Sequence, residues 1–104
     1  MTSLLAEWRG ACDDAIALLN EAGDLPTPQM MDVTDAALRK TVELRDGLIE
    51  HLRSPLSDPE ATDWRQALDT VNVALSEMAS VEYPGALNRE HLDDARKLLE
   101  QLTG

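Results

Sequence analysis

The chain has 104 residues, with 20 acidic side chains against 9 basic ones and a formal charge of −11. That length makes one domain whose core needs no metal or disulfide, and a hydrophobic content of 43% is ordinary for a soluble globule. The negative charge repels nucleic-acid phosphates and anionic lipid headgroups, so the expected partner is another protein with a neutral or basic surface, with no nucleic acid and no membrane.

Prolines and glycines divide the chain into four segments, and each carries the 3.6-residue apolar period of a helix rather than the alternation of a strand. The first predicted helix covers about residues 3–22, with Thr2 or Ser3 as cap and Gly23 as a left-handed stop. Its apolar arc contains Leu4, Leu5, Trp8, Ala11, Cys12, Ala15, Ile16, Leu18, Leu19 and Ala22, while Arg9, Asp13, Asp14, Asn20 and Glu21 lie outside it. Thr27 followed by Pro28 reads as the cap and first turn of a second helix over about 28–53, with Asp32 or Thr34 as alternative starts.

Ser57, Asp58, Pro59 and Glu60 open a third helix over about 58–80, whose apolar positions Trp64, Leu68, Val71, Leu75 and Met78 form a bundle seam. The turn containing Glu82, Tyr83, Pro84 and Gly85 ends it. Asn88 is the expected cap of a shorter fourth helix over about 88–102, with Leu87 and Leu92 placed for a hydrophobic staple. Four amphipathic helices joined by connectors of roughly five to eight residues imply an all-α fold, an antiparallel up-down-up-down four-helix bundle in a single domain. In that bundle Trp8 and Trp64 fall near the same end and point inward, as core anchors or, alternatively, as walls of an aromatic ligand pocket.

Cys12 lies in the middle of the first apolar arc and reads as a buried structural thiol, without the exposure and cationic neighbour that a nucleophile needs. His51 and His91 fall at opposite ends of the bundle and cannot share a metal, and no Glu-x-x-His pair is present to build a di-metal site. The sequence after His51 also lacks the Lys and Gly that follow the phosphorylated histidine of phosphotransfer bundles. Glu43 with Asp46, Glu60 with Asp63 and Glu90 with Asp93 have metal-binding spacing but project outward as solvated faces. No cofactor, metal or catalytic residue is assigned.

Arg45 breaks the pattern of the second helix, because a 100° projection places it inside the arc of Ala37, Leu38, Thr41, Leu44, Leu48, Ile49 and Leu52. A charge there calls for an ion pair with Glu7, Asp14 or Asp69, or it lines a groove that receives a partner's carboxylate. Arg45 and His51 also fit the loose Arg-x(4–6)-His spacing of HEPN ribonucleases, although six residues set the two side chains about 120° apart on a helix. On the outer side of the third helix, Gln66, Thr70 and Val73 form a weakly charged patch, with Val73 exposed at its centre. Arg45, Val73, Thr70 and Gln66 are therefore the candidate partner-binding residues. The small residues Ala6, Gly10 and Ala17 on the back of the first helix permit close approach of another helix, so the chain is expected as a monomer or a homodimer.

The run Leu18, Leu19, Asn20, Glu21, Ala22, Gly23, Asp24, with the later Arg45, Asp46, Gly47, Leu48, Ile49, Glu50, His51 and Leu52, resembles the small acidic helical chaperones that escort the flagellar filament cap to its export gate. The resemblance covers the first half of the chain and departs at Leu25, where that family tends to carry tryptophan. It implies a cytoplasmic chaperone of a type III export apparatus. The start MTSLLAEWRG, with neither a basic segment nor a long apolar run, agrees with a cytoplasmic address. Mimicry of DNA charge by an inhibitor would also account for the acidity and predicts carboxylates gathered on one side, whereas solubility or salt adaptation fits the projected spread of acids over the outer faces of all four helices. Together these observations predict a small acidic, non-enzymatic protein-interaction module acting as adaptor, chaperone or regulator.

Overall fold

The computed structural model describes residues 6–82 and 85–103, and four α-helices account for most of them. They are α1 (Ala6–Ala22), α2 (Thr27–Leu52), α3 (Asp58–Ala79) and α4 (Asn88–Thr103). The expected caps Thr2 and Ser3, the arc positions Leu4 and Leu5, and the turn residues Tyr83 and Pro84 lie outside the described residues. Each helix packs on the next and α4 closes on α1, the ring order of an up-down-up-down bundle measuring 46 × 21 × 20 Å. The 26 residues of α2, at 1.5 Å per residue, span most of the long axis.

Each helix presents a fully buried alanine to the centre, namely Ala15, Ala37, Ala74 and Ala95, interleaved with Leu19, Leu44, Leu48, Val71, Met78 and Leu99. Small residues on the innermost line let the helix axes approach while the larger side chains interdigitate beside them. This corrects the seam read for α3. Ala67 and Ala74 occupy its inner line, and Leu68 and Leu75 lie only partly buried along its flank.

The helix ends follow local chemistry with two shifts. Ser57 caps α3, its Oγ accepting from the Glu60 N–H at 3.4 Å, and the acids Asp58 and Glu60 in the first turn suit the positive end of the helix dipole. Thr27, expected as the cap of α2, is instead its first helical residue. Pro26 holds the cap position without a side-chain bond, and its carbonyl accepts from the Met30 N–H at 2.8 Å. Gly23 ends α1 without a left-handed backbone, its N–H still bonded to the Leu19 carbonyl at 3.2 Å.

The largest departure is at Asn88. Its side chain does not cap α4; it is buried, and its carboxamide pairs with both backbone groups of Glu82 across the α3–α4 connector. Oδ1 accepts from the Glu82 N–H at 3.1 Å and Nδ2 donates to the Glu82 carbonyl at 2.7 Å. The carboxamide thereby imitates a peptide group and completes backbone bonds that the connector cannot make for itself. Gly85 is required beside it, since a Cβ there would fall on the Asn88 carboxamide. Leu87, expected as a staple against Leu92, is 54% exposed, so the carboxamide rather than an apolar contact fixes this connector.

Candidate functional site

Three arrangements bring polar or aromatic groups together against an otherwise apolar bundle. At the end that holds the α1–α2 and α3–α4 connectors, a groove of about 370 Å³ lies between the start of α2 and the end of α3. Met31, Leu38, Met78, Ala79 and Val81 give it an apolar lining, and Asp32 and Asp35 stand at its edge. Asp35 is bonded to Arg39 at 2.8 Å in an exposed pair, which contributes little to stability.

Thr34 also lines this groove, and it is 3% exposed with no hydrogen-bond partner for its Oγ1. Two turns farther along α2, Thr41 shows the usual resolution for a buried threonine. Its hydroxyl donates to the Ala37 carbonyl at 2.9 Å and lies 3.8 Å from the Met78 sulfur. Thr34, which the sequence offered as an alternative start of α2, lies instead two turns inside the helix on its buried side, two turns before Thr41.

Arg45 lies on the same stripe of α2 as Met31 and Leu38, seven residues beyond Leu38. Its guanidinium does not cross to Asp14 or Asp69. Nε and Nη2 both donate to Oδ1 of the adjacent Asp46, at 3.2 and 3.1 Å, with the arginine side chain 38% exposed. The side chain of Glu7, the remaining expected partner, lies outside the described residues. The long stem lets the charged head leave the edge of the core for water and a neighbouring carboxylate.

Val73 is 50% exposed, as expected. Gln66, Thr70, Val73 and Glu77 follow one another on a single stripe, and Glu77 reaches His91, so this patch lies on the flank of α3 that meets α4. The Thr70 hydroxyl is committed to the Gln66 carbonyl at 3.1 Å. His91 Nδ1 lies 2.8 Å from Glu77 Oε2 with both side chains half-buried, a cross-helix contact that depends on the rotation of α3 against α4. The α2–α3 groove and the Val73 patch therefore lie on opposite flanks of α3.

At the other end, Trp8 from α1, His51 from α2 and Trp64 from α3 meet edge to face. The ring centroids are 5.4 Å apart for the two indoles, 5.3 Å for Trp8 with His51 and 4.8 Å for His51 with Trp64. Trp64 is 7% exposed and anchors the core, while Trp8 and His51 are half-buried. Both tryptophans thus sit at the expected end, and His51 joins them. His91 on Glu77 lies near the other end of α3, so the two histidines are separated as expected. His51 packs edge to face on two indoles and Arg45 is bonded to Asp46, so the structure does not join them in a ribonuclease pair.

Cys12 is fully buried in the core, its thiol donating to the Leu99 carbonyl at 3.5 Å. Burial, with the charge of Asp13 acting the same way and Arg9 opposing, pushes the thiol up to about 11. On α4, Asp93 accepts from Lys97 at 2.8 Å and also from Arg96, and these bonds hold its carboxyl below its ordinary value. Among the described residues no three potential metal ligands come together. Exposed carboxylates occur on all four helices, including Asp13 and Asp14, Glu43 and Asp46, Asp63 and Asp69, and Glu90 and Asp94, rather than in one rail. No described helix is long and apolar enough to cross a membrane. In comparison with known proteins, the chain matches no family model, no curated protein and no solved structure at a significant level.

Proposed function

We propose that the protein is a non-enzymatic association module of the cytoplasm, whose α2–α3 groove receives a helical segment of a partner with a neutral or basic surface. The observation that carries this reading is Thr34. A buried hydroxyl without a partner costs about 1–3 kcal/mol, and here it lies just beneath a groove of mixed apolar and acidic lining, so a segment that displaces the groove wall on docking completes its bonding. Met31, Leu38 and Val81 supply apolar contact, and Asp32 and Asp35 favour a lysine or arginine at the edge. Arg45, farther along the same stripe, supplies a cation for a carboxylate of the partner. Val73, with Thr70 and Gln66, offers a second contact surface on the other flank of α3; its exposure of 50% supports that role. The chaperone resemblance of the first half gives the reading a specific form, in which the client is an exported flagellar protein.

The test is a pull-down from host lysate at low and high salt, with wild type beside Met31→Glu and Arg45→Ala. Both variants alter exposed or half-exposed side chains and are expected to fold. The expected result is a specific protein retained by wild type and lost with Met31→Glu, with Arg45→Ala weakening the salt-sensitive part of the interaction. Equal retention by all three would refute the groove assignment.

A further inference from the structure

The aromatic cluster opens outward between α1 and α2 into a depression of about 390 Å³, lined by Trp8, Gly47, Glu50, His51 and Ser54. Two of its walls are aromatic rings set at 78° to each other, the indole of Trp8 and the imidazole of His51. Its shape depends on Gly47. A Cβ at that position would lie 2.9 Å from Trp8 Cε2 and 3.0 Å from Cδ1, so the missing side chain is what lets the indole rest against α2. The wall residue Glu50 brings a carboxylate. The Ser54 hydroxyl is already committed to the His51 carbonyl at 2.6 Å and offers no free donor.

We propose that this depression binds a small methylated ammonium cation. The indole of Trp8 carries negative electrostatic potential over its face and attracts a cation placed there, the imidazole of His51 adds a flat, weakly hydrated wall, and the carboxylate of Glu50 adds to the attraction. A quaternary ammonium has no N–H to satisfy and is weakly hydrated, so it suits a niche walled by rings, a bare helix backbone and one carboxylate. A primary ammonium needs several acceptors, and an anion would meet the carboxylate of Glu50. Arg53 lies 3.3 Å from Glu50, but both side chains are largely exposed, and such a pair exchanges readily with water or another cation. The inference is independent of the partner groove, which lies at the other end of the bundle.

The chain has two tryptophans and both are in this cluster, so intrinsic fluorescence reports directly on the site. Tetramethylammonium, choline and trimethyllysine amide are titrated at constant ionic strength, with the uncharged choline isostere 3,3-dimethylbutan-1-ol as control. Binding is followed by fluorescence and by saturation transfer to the N-methyl protons. Millimolar binding of the cations is expected, with the neutral isostere about fivefold weaker or more. Preference for choline over trimethyllysine assigns a free small cation, and the reverse preference assigns a methylated lysine side chain. Glu50→Gln, an exposed change that leaves packing intact, should weaken binding about threefold or more. Trp8→Phe should weaken it further, with helical circular dichroism confirming the fold. Equal binding of choline and its neutral isostere, full retention by both variants, or no response to tetramethylammonium at tens of millimolar would each overturn the proposal.

Discussion

Substituting Gly47 by alanine sets two effects of opposite sign against each other. Glycine inside a helix is about 1 kcal/mol less favourable than alanine, so propensity alone makes Gly47→Ala stabilising. The added methyl, however, would lie within 3.0 Å of three atoms of the Trp8 indole. One response is to squeeze the ring aside, an overpacking that costs about 1–3 kcal/mol. The other is to release it, which breaks two edge-to-face pairs of about 1 kcal/mol each and re-exposes roughly 100 Å² of indole at about 25 cal/mol per Å². The chain takes the cheaper course, near 2 kcal/mol, and the net result is a destabilisation of about 1 kcal/mol. For a domain of this size that lowers Tm by about 4–8 °C. Gly10→Ala in α1 is the matched control, because its Cβ meets nothing within 4 Å. That change should raise Tm by a few degrees through propensity alone. Thermal unfolding followed by circular dichroism measures both. If Gly47→Ala stabilises to the same degree as Gly10→Ala, the indole does not rest on α2 and the account of this end of the bundle is wrong.

Three further outcomes are expected. Thr34→Val, which deletes an unpartnered buried hydroxyl, should stabilise by about 1 kcal/mol in urea unfolding, whereas Thr41→Val, which deletes a bonded one, should give no gain. Asn88→Ala removes both bonds to the Glu82 backbone and should cost about 2 kcal/mol by the same measurement, a loss that an ordinary surface asparagine would not show. The Cys12 thiol is raised from 9.0 to about 11, so its neutral form favours the folded state. Its contribution to stability is complete below pH 9 and is lost between pH 9 and 11. Urea midpoints of wild type should therefore fall more steeply over that range than those of Cys12→Ala, and parallel slopes would count against the burial argument.

The helices were legible because each signal was local. Proline, glycine and the serine at position 57 punctuate the chain, and between them the apolar period persists long enough to fix a buried face. What escaped was decided by neighbours in space. The arc of α3 contains both Leu75 and Ala74, and only the close approach of the other helices puts the alanine innermost. Asn88 has the chemistry of a helix cap and of a loop clamp alike, and the path of the connector chooses between them. The projection places Arg45 inside the apolar arc, but its flexible stem carries the guanidinium to the adjacent Asp46 rather than across the bundle. The aromatic end was partly readable, since topology alone places Trp8 and Trp64 together. His51, one turn after a glycine inside α2, needed only the same argument. The Thr34 groove was less accessible, because an unpartnered hydroxyl is defined by the atoms around it rather than by sequence.

The clamp on the α3–α4 connector has a consequence for how this protein can diverge. Because the Asn88 carboxamide occupies the space a side chain at position 85 would need, the two positions form a single heritable character. Losing the asparagine frees residue 85 from being glycine, and acquiring a side chain at residue 85 expels the asparagine. Descendant chains should keep Gly85 and Asn88 together or replace them together, while the exposed Leu87 between them drifts freely.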